Sequence, residues 1–251
     1  MSTTLSVVII TFNEERNIVR CLNAIKNIAD EIIVIDSGSV DRTIEICRLY
    51  KANVFKQQWL GYSEQKNFAN SKASHDWVLS LDADEAPDQT LQNALIRWKQ
   101  RPNPSPAKFK RLTNYCGLFV RHGGWYPDIK VRLFNRLDAK WEGVIHERLT
   151  NLIESQVELL AGDCHHYTYY TVDEHRKQSD KFTTIAAADL FQRGKKASCI
   201  KRFLNPILKF FVDYFLRLGF MDGLTGFTIA WLSACATYAK YAKLNVLSKR
   251  R

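Results

Sequence analysis

Four short apolar runs in the first hundred residues end in polar or acidic residues, and most are followed by apolar positions at helical spacing. Leu5-Ser6-Val7-Val8-Ile9-Ile10 is β-branched and reads as a buried parallel strand. Thr11-Phe12-Asn13-Glu14-Glu15 follows, then Ile18, Val19, Leu22 and Ile25 in helical register. Asn13 is the expected N-cap of that helix, with the two glutamates in its first turn. Glu31 to Asp36 predicts a second strand, Ser37-Gly38-Ser39 a turn, and Asp41-Arg42-Thr43 the start of a second helix. Asn53-Val54-Phe55 predicts a third strand and Gly61 to Ala73 a helix carrying Lys66 and Asn67. Trp77 to Asp82 is the fourth strand, and a helix runs over roughly Asp88 to Lys99. Strand starts about 20 to 30 residues apart, with helices between, predict a doubly wound, mostly parallel α/β sheet.

After Pro102, Pro104 and Pro106 the alternation weakens. Short β-like runs such as Val131 to Phe134 lie between Gly and Pro turns, which predicts mixed strands and loops to about Leu160. A helical pattern returns from Val172 through Phe182, Ile185 and Leu190. Arg193 to Arg217 then carries seven basic residues and one acid, interleaved with aliphatic and aromatic residues. It predicts a basic amphipathic helix with a kink or restart at Pro206. Leu224 to Ala239 has no charge, and Lys240 to Arg251 has five basic residues and no acid. The uncharged run is short of the roughly 20 residues of a spanning helix, and extending it backward meets Asp222. A helix lying in a membrane interface is therefore expected over a spanning one, with a soluble helical subdomain packing on the sheet as the alternative.

Charge and cysteines narrow the setting. The balance of 36 basic to 26 acidic residues, formally +10, points to a polyanionic partner. Aromatics in helical register are poor base-stacking platforms, so no nucleic acid is expected. The six cysteines form no Cys-x-x-Cys pair, and the first residues lack a signal-peptide pattern. Both favour a reducing, cytoplasmic setting with free thiols.

The candidate chemistry sits at the strand ends. Leu81-Asp82-Ala83-Asp84-Glu85 delivers carboxylates to the carboxyl edge of the sheet, where ligands of open α/β sheets bind. On a continued strand Asp82 and Asp84 would point the same way and could share one Mg²⁺ or Mn²⁺. An acidic turn before the Asp88 helix is the plainer alternative. Glu14, Glu15 and Asp36 lie at or past two other strand ends, and capping explains any one of these acids better than the set. A nucleotide across that edge would use Asp36 on base or ribose, and Asp82 and Asp84 through a metal on the diphosphate.

Ser6 to Glu15, Val34 to Thr43 and Leu81 to Glu85 resemble the three signature blocks of family 2 glycosyltransferases, in order and at the right separations. Arg132-Leu133-Phe134, Trp141 to Glu147, His166 to Tyr169 and Gly219 to Phe227 are similar to the branch that adds β-1,4-glucose to inner-core heptose of bacterial lipopolysaccharide or lipooligosaccharide. The resemblance covers nearly the whole chain. It implies a GT-A fold, a UDP-sugar donor, Mg²⁺ or Mn²⁺, and inversion at the anomeric carbon. It places Thr11, Glu14 and Asp36 on the uridine, Lys66 on the diphosphate, and Asp82 and Asp84 at the metal. Many members carry a second Asp where this chain has Ser37. Glu147 is the expected base, with Glu142 second; simple pairing of Glu147 with Arg148 or Arg132 is the alternative. His146 and His166 are candidate metal or phosphate contacts, and His166 joins the expected metal set.

The expected division is a GT-A domain over 1–190, with a nucleotide-sugar half at 1–100 and an acceptor half at 107–190, then a helical membrane-associating region at 191–251. The resemblance implies a lipid-anchored, anionic core acceptor, with the enzyme peripheral on the cytoplasmic face of the inner membrane. Two other functions fit the donor-side residues: transfer to polyprenyl phosphate or a capsule precursor, and UDP-sugar binding without turnover.

Overall fold

The computed structural model describes residues 2–143, 147–196 and 198–249, the side chain of Cys199 excepted. The chain forms two compact units: Met1–Arg111 with Asp128–Tyr167, and Leu112–Pro127 with Thr168–Arg251. The expected boundary at residue 190 is not where the units divide. Thr168 onward belongs to the second unit, which also takes in the 112–127 segment.

In the first unit the elements are β1 (Leu5–Thr11), α1 (Ile18–Ile25), β2 (Glu31–Asp36), α2 (Thr43–Leu49), β3 (Asn53–Lys56), α3 (Tyr62–Lys72), β4 (Trp77–Asp82), β5 (Glu85–Pro87) and α4 (Gln89–Lys99). Then come β6 (Ala107–Tyr115), β7 (Leu118–Phe119), β8 (Asp128–Asn135), β9 (Lys140–Glu142), β10 (Arg148–Thr150) and β11 (Glu158–Tyr169). β6 and β11 run on into the second unit, and β7 lies within it. The sheet order is β3-β2-β1-β4-β8-β6-β11-β5, with β7 on β6. β3, β2, β1 and β4 are parallel, and β8 joins β4 antiparallel.

All seven residues of β1 are buried, as expected of a strand covered on both faces. Leu5, Val7 and Ile9 face a core with α1 and α4 (Leu22, Ile25, Leu95, Trp98), while Val8 and Ile10 pack with Ile33, Ile35, Ala69 and Val78 beside α3.

The loop after β1 departs from expectation. Helix α1 starts at Ile18, and Asn13 has φ 55°, a left-handed backbone that Asn tolerates. Asn13 is not a helix cap. Its N–H donates to Ser39 Oγ at 2.8 Å and its Oδ1 accepts from Val40 N–H at 2.9 Å. Glu14 N–H donates to Thr43 Oγ1, and Glu15 exchanges bonds with the Asp41–Arg42 turn. The polar residues of the first two signature blocks therefore bind each other, tying the β1 and β2 exits into one rim.

The second unit holds α5 (Val172–Gln192), α6 (Cys199–Phe211) and α7 (Gly223–Lys249). A capping box starts α5: Thr171 Oγ1 accepts from Glu174 N–H, and Glu174 reaches back to Thr171 N–H. Helix α7 packs on both α5 and α6. Pro206 lies inside α6, and the chain breaks later, through a wide turn at Val212–Leu216 and a tight one at Gly219–Asp222. No single described helix is long and apolar enough to cross a membrane; residues Ile200–Leu216 and Gly219–Lys249 pass that test only as a pair bent by 73°.

Candidate active site

Parallel pairing brings the strand ends level. Thr11 stands opposite Asp36, and Ile10 opposite Asp82. Thr11 and Asp36 are buried. Asp36 Oδ2 accepts the N–H groups of Gly38 and Ser39, both at 2.9 Å. Asp36 Oδ1 and Thr11 Oγ1 have no hydrogen-bond partner among the described residues. Ser37 is tied down instead, its Oγ accepting from the Nε2 of the buried Gln65.

Strand β4 ends at Asp82 and the chain turns through Ala83 and Asp84 into β5. The strand rule that would point both aspartates one way therefore does not extend to Asp84. β5 pairs antiparallel with β11, placing Glu85 opposite His166, and Tyr167 N–H donates to the Asp84 carbonyl at 2.9 Å. Asp84 Oδ2 lies 3.2 Å from His166 Nε2.

Asp82 faces cations. Lys66 Nζ is 3.2 Å from Asp82 Oδ1, and Arg132 Nη2 is 3.0 Å from Asp82 Oδ2. Burial pushes the Asp82 carboxyl up, but Lys66, Arg132 and Arg111 outweigh it and hold it well below the usual carboxylate range. Arg132 Nη2 also binds the buried Glu85 Oε1 at 3.0 Å, which Arg111 meets at 3.2 Å. Glu85 Oε2 accepts the Asp82 N–H at 3.0 Å, so this acid fixes the start of the Asp82–Asp84 turn from inside.

Lys66 comes from α3, whose polar face is buried: Ser63, Lys66 and Asn70 recur at three- and four-residue spacing. Asn67 bonds the backbone of Trp141 in both directions at 2.9 Å, and Ser63 Oγ donates to the Gly143 carbonyl at 2.6 Å. The β9–β10 hairpin is thereby held on α3, and Glu147 Oε1 accepts from Lys66 Nζ at 2.7 Å. Among the described residues the hydrogen-bonded ion-pair partner of Glu147 is thus Lys66, and Arg132 lies near enough for the Glu147 charge to act on it. The Trp141 ring lies under both cations, 5.0 Å from Lys66 Nζ and 5.8 Å from the Arg132 guanidinium carbon. Glu142 is exposed on β9. His146 lies outside the described residues.

Burial, then the neighbouring Asp84, push the Glu14 carboxyl up from 4.5 to about 7. Its Oε2 accepts from Asn17 Nδ2 at 2.8 Å.

The donor set suits a diphosphate-bound divalent ion only in part. Bonds of about 2.1 Å put adjacent corners of an octahedron about 3 Å apart, close to the Asp84–His166 separation. No group of three or more His, Cys, Asp or Glu poised for a metal occurs among the described residues. Mg²⁺ typically takes one or two carboxylates and completes its shell with phosphate and water, and Mn²⁺ does the same while also accepting an imidazole nitrogen. Asp84 and His166 fit that role; Asp82 is engaged by its two cations. Sequence reasoning missed Arg111, and placed Arg132 only through resemblance. Nothing local marks either as a partner of a carboxylate far away in the chain.

This line of acceptors and caged charges lies at the carboxyl edge of a parallel sheet, and the chain belongs to glycosyl transferase family 2, whose model matches residues 6–147. Its fold is GT-A. The chain is 32% identical to an uncharacterized glycosyltransferase of Rickettsia typhi over 97% of its own length and 87% of that protein. It is 26% identical to the lipopolysaccharide core biosynthesis glycosyltransferase LpsC of Rhizobium meliloti, covering 95% of this chain and 93% of the relative. Among solved structures, S. aureus TarS in complex with UDP-GlcNAc aligns with a TM-score of 0.49 at 13% identity, covering 99% of this chain and 92% of that one.

Proposed function

We propose that the protein is a metal-dependent, inverting glycosyltransferase that moves glucose from UDP-glucose to inner-core heptose of lipopolysaccharide. The observation that carries the reading is the row of Thr11, Asp36 and Asp82 at three neighbouring strand ends, with Lys66 bridging Asp82 and Glu147. The similarity to LpsC, which spans nearly both chains, supports the acceptor class.

In this reading Thr11, Glu14 and Asp36 hold the uridine. Leaving a buried polar atom unpaired costs about 1–3 kcal/mol, so Thr11 Oγ1 and Asp36 Oδ1 favour a ligand that bonds them. Lys66 meets the diphosphate. Its ammonium is now shared between Asp82 and Glu147, and a diphosphate oxygen competes for it. Drawing Lys66 toward the leaving group frees Glu147 Oε1. The acceptor hydroxyl attacks the anomeric carbon opposite the departing UDP, the carbon–oxygen bond to the diphosphate breaks, and Glu147 takes the hydroxyl proton. Asp84 and His166, with Asp82 adjacent, would hold Mg²⁺ or Mn²⁺, which when bound neutralises charge on the diphosphate. The acceptor is lipid-anchored at the cytoplasmic face of the inner membrane.

The test is transfer from radiolabelled UDP-glucose, with Mg²⁺, to deep-rough lipopolysaccharide ending in inner-core heptose, for the wild type and Asp84→Ala. The Asp84 side chain is 21% exposed, so the variant should keep its fold, which a melting curve checks. Label in the lipopolysaccharide from wild type alone is expected. Binding of UDP-glucose without transfer, alongside transfer to polyprenyl phosphate, would replace the acceptor; binding with no transfer to any acceptor would leave a sugar-nucleotide sensor.

A further inference from the structure

The bend between α6 and α7 resolves a conflict posed by the sequence. Residues 210–227 contain two acids, Asp213 and Asp222, either of which would be costly against lipid. Both turn inward. Asp213 is 2% exposed and pairs with Lys209 Nζ at 2.7 Å and Arg217 Nη1 at 3.3 Å. Asp222 Oδ2 accepts the N–H groups of Arg121 and His122, at 3.1 and 2.8 Å, and its Oδ1 meets His122 Nδ1 at 2.9 Å. What the bend exposes is apolar: Phe215, Leu216, Leu218, Phe220, Met221 and Leu224, each between 45% and 87% accessible.

The bend is built to stay bent. Leu218 has a left-handed backbone at φ 58°. A Cβ at Gly219 would come within 2.6 Å of the Asp213 carbonyl, and one at Gly226 would overlap the Gly219 carbonyl. Straightening the pair into one helix would undo this packing and expose both carboxylates. Helix α6 continues the apolar surface, with Ile200, Phe203, Ile207 and Phe211 exposed at three- and four-residue spacing.

Charge names the occupant. The Arg193–Arg217 stretch carries seven bases against the one inward-facing acid, and the 240–251 stretch carries five against none. Lys209 and Arg217 are engaged by Asp213, Arg193 by Asp189 and Lys243 by Asp180, and the basic excess rests on the others, Lys195, Lys196 and Lys201 before the bend and Lys240 and Lys249 after it among them. A water-soluble protein partner would match such an apolar apex, but it would not call for bases at both ends of the helix pair. An anionic bilayer answers both features.

We propose that this helix pair is a monotopic membrane wedge: the apex at 215–224 enters one leaflet of an anionic bilayer, and the flanking lysines and arginines rest on its headgroups. The proposal concerns how the chain meets a membrane and holds whatever sugar or acceptor the first unit uses.

The test is co-sedimentation of the full chain with vesicles of phosphatidylcholine containing a third phosphatidylglycerol, free of lipopolysaccharide and donor. The comparison is with Met221→Glu/Leu224→Glu, which keeps every base, and with Lys195→Gln/Lys196→Gln. Sedimentation velocity and circular dichroism of all three proteins accompany it. The wild type should bind, and pure phosphatidylcholine should hold it at least tenfold more weakly. The apex variant should lose at least tenfold in partition with its helicity unchanged. The lysine variant should lose about fivefold per base. No vesicle binding by the wild type, binding unaffected by the apex substitutions, or an apex-dependent dimer that ignores vesicles would each overturn the proposal.

Discussion

Arg132→Met isolates the charge cluster beneath the active site. Arg132 is 3% exposed and sits 3.0 Å from both Asp82 and Glu85. At an effective dielectric of about 20, each contact has a gross Coulomb energy of roughly 5–6 kcal/mol, against several kcal/mol spent desolvating the guanidinium. Breaking a buried pair by removing one partner costs about 3–5 kcal/mol. Asp82 would still hold Lys66 at 3.2 Å, and Glu85 would still hold Arg111 at 3.2 Å, so the low end applies, about 3 kcal/mol. In a chain of this size that is a fall of about 6–12 °C in Tm. Urea unfolding followed by Trp fluorescence reads it, because the Trp141 ring lies beside the lost cation. Adding Glu85→Gln to Arg132→Met should recover part of the loss, with a coupling of at least 1.5 kcal/mol in the double-mutant cycle, within the usual range for contacting pairs. A single-variant loss below about 1 kcal/mol, or additivity within about 0.5 kcal/mol, would refute the view that Arg132 carries the buried acids.

Two further predictions concern the scaffold. Gly162 has φ +98°, and a Cβ there would overlap the Leu91 N–H and approach Asp88 Oδ1 at 2.7 Å, the pair that caps α4. Gly162→Ala should cost about 2–4 kcal/mol by urea unfolding, from left-handed strain plus a damaged cap, and a loss within 0.5 kcal/mol would contradict it. Burial lowers the His175 imidazole from 6.5 to about 4, among Tyr115, Trp125 and Tyr169. The unfolded chain then binds more protons between those values, so this contribution is complete above about pH 6.5 and is lost as pH falls toward 4, by up to about 3 kcal/mol. His175→Phe should flatten the acid side of the stability curve, and an unchanged slope would remove His175 as the cause.

Local pattern alone determined the first hundred residues well. Apolar runs and helical spacing are short-range signals, so β1 through α4, β5 excepted, lie close to where periodicity predicts them, and Asp36 and Asp82 stand at strand ends because the sequence closes those two runs with an acid. Asn13 shows the limit: its composition suits a cap, but Ser39 and Val40 compete for the same groups and win. Asp82 and Asp84 show it again, since β5 must turn to meet β11, and that pairing is made across some 80 residues of chain. Lys66 with Glu147, Arg132 with Asp82 and Glu85, and Asp222 with His122 were decided only by the tertiary structure. A buried charge requires a partner, but which distant residue supplies it depends on how strands and helices pack, and that information is absent from local periodicity. The inward turn of Asp213 and Asp222 has the same origin: hydropathy counts an acid as polar wherever it points, and only packing turns the bend's acids in and its apolar side chains out.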